Sequence, residues 1–195
     1  MDVQRIVDAI RSNDMEENKA AIEAIYANYG LLKEEDIVRL TPSIIYYLWK
    51  LPKFVAQKQF VLDLLSRTDQ RLRHSMFTYL IDKWSEIQLA RMDKFYYLVK
   101  RILEYYVLDV ETVSYLFNIT ATTDLRGFVI RCVVDRLGEI SEDMERFLAE
   151  FASKCPPALL LSLGPLKIRK EVALKYAGDK DIGKKNRAAL YSMAK

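Results

Sequence analysis

A chain of 195 residues, half of them hydrophobic and 29% charged, is long enough to bury a core and has the balance of a soluble globular protein. No apolar run approaches the roughly 20 residues of a membrane span, and the first ten residues lack the apolar core of a secretory signal. The net charge of +3 says little, because the charges are unevenly distributed along the chain.

The charge changes sign in blocks. Residues 41–100 carry ten basic and five acidic side chains, and residues 164–195 carry nine and three. Residues 1–40 and 101–163 are acidic, with five basic against nine acidic side chains and six against ten. Such blocks suggest separate acidic and basic surfaces. A basic surface attracts phosphate backbones through counterion release, but it is equally common on proteins that touch no nucleic acid.

Apolar residues spaced three and four apart predict helices from the start of the chain. The first stripe is Val3, Ile6, Val7 and Ile10. A capping box formed by Asn13 and Glu16 is predicted to open a second helix, which stops before Gly30. The predicted inner face of that helix is Ala20, Ile22, Ile25, Tyr26 and Tyr29.

A third helix is predicted to start near Glu34 and to turn Ile37, Val38 and Leu40 inward. Thr41 and Pro42 read as a cap followed by proline at the first position of a new helix. The segment 43–50, SIIYYLWK, is apolar on nearly all sides. Such a helix is either central in the fold or lies under a partner.

The pattern restarts after Pro52, and the predicted inner face there is Phe54, Val55, Phe60, Val61, Leu64 and Leu65. Residues 77–106 then form two amphipathic helices that meet at a polar turn, residues 85–91. Their stripes are Phe77, Leu80, Ile81 and Trp84, and Phe95, Leu98, Val99, Ile102, Leu103 and Tyr106. The simplest interpretation is a helical hairpin with buried stripes and solvated charges.

The second half of the chain continues in the same way. Helices are predicted after residue 109, after a cap at Asp124 and after Ser141. Two short basic helices follow the proline and glycine breaks, within a basic C-terminal segment at 164–195. Scarce glycine and proline and short turns predict an all-α fold, a HEAT-like α-solenoid of short antiparallel helices in a single domain, 1–195. A compact, irregular helical bundle is the alternative.

Residues for catalysis are not assembled in any recognised pattern. The single histidine is His74, the glycines form no phosphate-binding loop, and Cys132 and Cys155 lack metal-ligand spacing. Three acids, Asp82, Glu86 and Asp93, could be read as a nuclease-type metal site, but their spacing fits the solvated face of two helices better. We predict a protein that is not an enzyme and has no cofactor.

Basic residues beside aromatic ones are the candidates for binding. They lie off the apolar stripes of their helices or in the basic tail, where they could grip folded RNA through phosphate contacts. A basic solvated surface is the alternative. The candidates are Arg71, Arg73, Arg91, Lys94, Lys100, Arg101, Lys167, Arg169, Lys170, Lys184, Lys185 and Arg187.

The stretch from Trp84 to Arg101 also carries a resemblance. Trp84 and Ile87 precede RMDKF at 91–95 and LVKR at 98–101. This order resembles the signature block of the ribosomal RNA-processing protein 1 (nucleolar protein 52) family, which acts on precursors of the large ribosomal subunit. The family block has a tryptophan, an isoleucine–aspartate pair and Arg-Leu-Asp-Lys-Phe before a basic helix. Gln88 stands here in place of the usual aspartate, and Lys83 in place of the usual acid before the tryptophan.

Other segments extend the resemblance over roughly residues 5–140. Residues 31–53 are similar to a second family block that ends near a tryptophan, although Thr41 replaces the tryptophan that usually opens it. Residues 7–29 are similar to the opening helical hairpin, and residues 126–140 match a later helix loosely, with Arg131 in place of a usual histidine. The matching positions of the second block are Ile44, Ile45, Tyr46, Leu48, Trp49 and Lys53.

The resemblance implies a nucleolar, non-catalytic factor that holds pre-rRNA, ribosomal proteins and other assembly factors in large-subunit precursors. It implies no membrane and no small-molecule substrate. Trp49, Trp84 and Phe95 would be mainly structural, and Arg91, Lys94, Lys100 and Arg101 would form the interaction face. Two alternatives stay open at this point. One is a HEAT-like protein–protein adaptor without RNA contact, and the other is a metal-dependent nuclease.

Overall fold

The computed structural model describes residues 2–195 and confirms the all-α class. The described part of the chain contains eleven α-helices and four short 3-10 segments, joined by turns, and one isolated β-bridge between Ile168 and Ala194. Contacts divide the chain into two compact units, Met1–Tyr105 and Tyr106–Lys195. None of the helices within residues 2–195 combines the length and apolar character that crossing a bilayer requires.

Unit 1 contains six α-helices. They are α1 (Val3–Arg11), α2 (Met15–Asn28), α3 (Glu34–Lys50), α4 (Phe54–Arg67), α5 (Gln70–Lys83) and α6 (Met92–Leu103). Short 3-10 turns at Tyr29–Leu31, Trp84–Glu86 and Leu89–Arg91 join some of them. Helix α1 packs on α2 and α3, α3 packs on α5, and α4 packs on α6. Helices two apart in sequence are therefore neighbours in space.

Aspartates begin several of these helices. The side chain of Asp14 accepts hydrogen bonds from the backbone N–H groups of Glu16 and Glu17, so Asp14 is the cap, and not Asn13 as predicted. Asp2 and Asp69 cap α1 and α5 in the same manner. Each cap satisfies N–H groups that have no partner within the helix.

The predicted break at Thr41–Pro42 is wrong, because α3 runs without interruption through both residues. The Thr41 hydroxyl donates to the Ile37 carbonyl at 2.8 Å, within the helix. Pro42 has no N–H for the carbonyl of Val38, but Val38 lies on the exposed side of the helix, where water can donate instead. A proline is tolerated inside this helix for that reason.

The predicted stripes of α1, α5 and α6 are buried, as expected from their spacing, except for Tyr106, which lies beyond the end of α6 and is only partly buried. Four positions that the sequence predicted to face inward are exposed instead: Ala20, Val38, Phe54 and Val55. In α2 the buried alanine is Ala21. In α4 the first turn lies outside the core, the first buried side chain is that of Gln57, and the first buried apolar one is that of Phe60.

Unit 2 contains α7 (Val110–Ile119), α8 (Arg126–Val134), α9 (Glu142–Lys154), α10 (Lys170–Ala177) and α11 (Lys184–Met193), with a 3-10 segment at Pro157–Leu163. Helix α9 packs against α7, α10 and α11. The predicted cap at Asp124 is wrong, because α8 begins after Leu125 without a side-chain cap. The buried Asn186 donates to the carbonyls of Ala152 and Cys155, which fixes α11 on the end of α9.

Candidate interaction surface

The end of α3 is held by a lysine from α6. The Lys94 ammonium donates to the carbonyls of Leu48 at 3.2 Å and of Trp49 and Leu51 at 3.0 Å each. The last carbonyls of a helix lack partners within the helix, and here Pro52, four residues after Leu48, has no N–H to offer. Lys94 therefore supplies a hydrogen-bond donor that the backbone following α3 lacks.

Arg91 completes this arrangement one turn earlier. Its guanidinium lies 4.1 Å from the centroid of the Trp49 ring and donates to the Trp49 carbonyl at 3.1 Å. Burial lowers the pKa of Lys94, and the positive charge of Arg91 lowers it further. The sequence placed Lys94 on the exposed side of its helix, and this is wrong, because only 7% of the residue is exposed.

Arg73 performs a similar task at the end of α4. It donates to the carbonyls of Leu65 and Thr68, both at 2.7 Å, and its guanidinium lies 3.8 Å from the ring centroid of Tyr105. A cation at a helix C-terminus stabilises the helix dipole and satisfies its last carbonyls. Arg73 is therefore part of the internal structure of unit 1.

Arg71 is also engaged within unit 1. Its guanidinium donates to the Asp69 carboxylate at 2.9 Å and to the Leu32 carbonyl at 3.0 Å. The Tyr29 hydroxyl donates to the same carboxylate at 2.7 Å. Partial burial raises the pKa of Asp69, but the hydrogen bonds from Tyr29 and Arg71 outweigh it and leave that pKa below its ordinary value.

The predicted residues of unit 2 fall into two groups. Arg169 pairs with the buried carboxylate of Glu145, and Lys167 and Arg187 donate to backbone carbonyls of their own unit. The other three lie exposed on α10 and α11; they are Lys170, Lys184 and Lys185. The exposed group remains available for binding phosphate.

The remaining two predicted residues are on α6: Arg101 lies near the Tyr97 ring of the same helix, and Lys100 is exposed one residue earlier. Phe54 is 50% exposed and meets Tyr97 edge to face, with 6.4 Å between the ring centroids. The Lys58 ammonium lies 4.3 Å from the Phe54 centroid and 5.7 Å from that of Tyr97. We call this the basic–aromatic surface, defined by Lys53, Phe54, Lys58, Tyr97, Lys100 and Arg101.

The predicted binding residues did not include three members of this surface, Lys53, Phe54 and Lys58. The sequence pattern assigns Phe54 to the core because the residue continues an apolar spacing. A signal was present in the pairing of an aromatic ring with a lysine four residues later, which places both on one side of a helix. The same spacing relates Tyr97 to Arg101, whose guanidinium lies 5.9 Å from the ring centroid.

This arrangement can bind a nucleic acid strand. Lysines and arginines attract phosphates, and the half-exposed Phe54 ring, beside the less exposed Tyr97, offers a face on which any base can stack. Arg101 also pairs with Glu104 at 2.7 Å, so part of its charge is compensated locally. The lysines at 53, 58 and 100 are exposed and supply most of the positive charge.

The three acids considered as a metal site are exposed, and Glu86 pairs with Lys83 at 2.8 Å. Within residues 2–195, no group of three histidine, cysteine, aspartate or glutamate side chains is placed to hold a metal ion.

No model of a protein family matches the chain, and a search of the curated proteins found no match. The resemblance of residues 31–53 and 84–101 to the nucleolar family therefore stays a prediction that depends on the residues quoted for it.

Proposed function

We propose that this chain is a non-catalytic assembly factor of large ribosomal subunit precursors, located in the nucleolus, that holds pre-rRNA and other assembly factors in place. One observation carries the proposal. The two stretches that resemble the nucleolar family, 31–53 and 84–101, are joined at the end of α3 by Arg91 and Lys94. Residues that share the family's pattern thus act together in one structural element, which an accidental likeness would not require.

The proposed RNA contact is the basic–aromatic surface. Lys58 lies near the rings of Phe54 and Tyr97, and Phe54 is half-exposed, a combination that suits a strand gripped through phosphates and stacking. Lys94 is not part of the proposed contact, because its ammonium is directed to three carbonyl groups inside unit 1. Arg91 is not part of the proposed RNA contact either, because its guanidinium is engaged by the ring and the carbonyl of Trp49.

We also propose that unit 1 is built from HEAT-like helical pairs. The packing of α1 on α3 and of α3 on α5, with α4 on α6, supports two layers of alternating helices. Stacked helical pairs present extended surfaces, which suits a protein that holds several partners at once. The single domain over 1–195 stays a prediction.

The experiment is sedimentation of the tagged protein from cells, with crosslinked RNA recovered and sequenced. We expect the wild type to co-migrate with large-subunit precursors and to crosslink to their rRNA. The variant Lys53→Glu/Lys58→Glu/Lys100→Glu should lose the crosslinks, because reversed charges repel phosphate. In direct binding to single-stranded RNA, log affinity decreases with log salt concentration, and the loss of three phosphate contacts should make this slope less negative by about 2.

A matched control reverses three other exposed cations of unit 1, Arg5, Lys19 and Lys33. Lys19 and Lys33 take part only in surface ion pairs, with Glu16 and Glu35, which contribute at most about 1 kcal/mol each. If both triple variants reduce crosslinking equally, general charge attracts RNA and the proposed surface is wrong. Association with precursors that survives RNase and needs neither surface would favour the adaptor without RNA contact.

A further inference from the structure

Unit 1 has a second exposed aromatic site, lined by residues that do not belong to the basic–aromatic surface. It is a groove of about 260 Å³ between α3, α5 and the turn that follows α5. Its apolar walls include Pro42, Tyr46, Trp49, Tyr79 and Ile87. We call it the aromatic groove. Its volume is below the roughly 300–1,000 Å³ of small-molecule pockets, so it suits one or two inserted side chains better than a cofactor.

The groove explains the unusual segment 43–50, which is apolar on nearly all sides. Ile44, Tyr47 and Leu48 are buried in unit 1. Tyr46 is 37% exposed, and its ring stacks on that of Trp49 with 5.5 Å between centroids. The helix therefore has a core-facing side and a second apolar side that is left open to solvent.

Positive charge surrounds the groove. Arg11 lines an adjoining cavity together with Pro42, Tyr46 and Tyr79. Arg91 lies over the Trp49 ring, and the Lys50 ammonium lies 5.6 Å from the centroid of Tyr46. Lys83 and Glu86, both on the wall, compensate each other through an ion pair. The groove is thus apolar inside with a net positive rim.

We propose that the aromatic groove binds a short acidic segment of a partner protein, which inserts an apolar side chain between Tyr46 and Tyr79. Charge complementarity favours acidic residues on either side of that anchor. From the proposed function, the inference takes only the idea that the chain holds other proteins.

A nucleotide fits the groove less well. Base edges need hydrogen-bond donors and acceptors, and a buried polar group without a partner costs free energy. The walls at Pro42, Ile45, Leu80 and Phe95 are apolar and offer none. Of the charged and amide side chains at the groove, Lys83 and Glu86 pair with each other, which leaves Gln88. An apolar side chain gives up no hydrogen bond on entering such a site and removes its own surface from water.

The natural reporter of the groove is Trp49. The chain has two tryptophans, and Trp84 is 2% exposed. A change confined to the indole N–H resonance of Trp49 therefore indicates binding in the groove, whereas a change in both resonances indicates a general effect. The probe is an eight-residue peptide with a Leu-Phe pair at its centre and three glutamates on each side. In ¹H–¹⁵N spectra of the full chain, titration should shift the Trp49 indole resonance and leave that of Trp84 in place.

Two variants of α3 make a matched pair. Tyr46→Glu places a negative charge in the groove, and Val38→Glu places the same charge at an exposed site elsewhere on the helix. We expect Tyr46→Glu to weaken peptide binding at least tenfold and Val38→Glu to leave it unchanged. If Tyr46→Glu fails to fold by circular dichroism, Arg11→Glu tests the charged rim, and it should weaken binding severalfold.

The outcomes are distinct. A peptide of the same length with lysines in place of the glutamates should not bind, and equal binding would overturn the acidic partner. If an oligouridine of eight nucleotides shifted the Trp49 indole resonance and the acidic peptide did not, the groove would be a nucleotide site. No shift with either probe at millimolar concentration overturns the inference. None of these results bears on RNA crosslinking at Lys53, Lys58 and Lys100, which tests the proposed function separately.

Discussion

The role of Lys94 can be tested by replacing it with methionine, which keeps the length of the side chain and removes its charge and its three hydrogen bonds. The three carbonyls do not lose equally. That of Trp49 keeps the bond from Arg91, and that of Leu51 keeps one from the Gln57 amide at 2.7 Å. Only the carbonyl of Leu48 loses its single side-chain donor.

An unsatisfied buried polar group costs about 1–3 kcal/mol, so we expect Lys94→Met to lower the free energy of unfolding by about that amount. Three times that value would follow only if all three carbonyls were orphaned. Removing a buried charge works in the opposite direction, because desolvation disfavours the ammonium, as the lowered pKa of Lys94 indicates. The lower half of the range is therefore the expected result.

The assay is urea denaturation followed by circular dichroism, with Lys100→Met as the control on the same helix. Lys100 is exposed, so its substitution should change stability by no more than about 0.5 kcal/mol. RNA affinity, measured on folded protein, should show the reverse order: Lys100→Met weakens binding and Lys94→Met does not. Equal stabilities for the two variants, or a larger loss of RNA affinity for Lys94→Met, would refute the internal role of Lys94.

Two further predictions concern carboxylates. Glu145→Ala should cost about 2 kcal/mol in urea denaturation, because the buried carboxylate accepts from the Arg169 backbone N–H and pairs with its guanidinium. Glu142→Ala removes only surface ion pairs, with Arg146 and Arg169, and should cost about 1 kcal/mol or less. Equal costs would contradict the buried role of Glu145. Asp69→Ala should cost about 1 kcal/mol at pH 7 by loss of a helix cap. The folded-state pKa of Asp69 is lowered, so its stabilisation is present above the unfolded pKa of about 3.9 and is lost as pH falls through the folded value. A wild-type advantage over Asp69→Ala that does not shrink in melts between pH 5 and pH 2 would be inconsistent with this assignment.

Periodicity predicted the helices and most of the core because burial of a helix repeats every three or four residues. The stripe from Phe95 to Leu103 on α6 is buried throughout, as expected. The same rule failed at Phe54 and Val55, which continue the spacing of α4 but lie in its first turn, outside the core. Periodicity gives the direction of a side chain, and it does not tell how far the neighbouring helices extend.

Side-chain caps from distant segments were beyond sequence reasoning. Lys94 reaches carbonyls 43 to 46 residues earlier in the chain, and Arg73 reaches carbonyls at the end of the preceding helix. Each resembles a surface cation in the sequence, because both have a long aliphatic stem and a charged end. Only the packing of the helices shows that the charged end meets a helix terminus.

The difference between cations that cap helices and cations that are exposed decides which residues can form the interaction face. Two of the basic residues that carry the resemblance, Arg91 and Lys94, stabilise the end of α3, while a third, Lys100, lies two turns further along α6 and is exposed. Charge reversal at Lys94 would place a carboxylate against three carbonyl oxygens and destabilise unit 1, and the resulting loss of binding would look like lost RNA contact. A test of binding must therefore vary the exposed lysines at positions 53, 58 and 100, where a change in affinity is not accompanied by a change in stability.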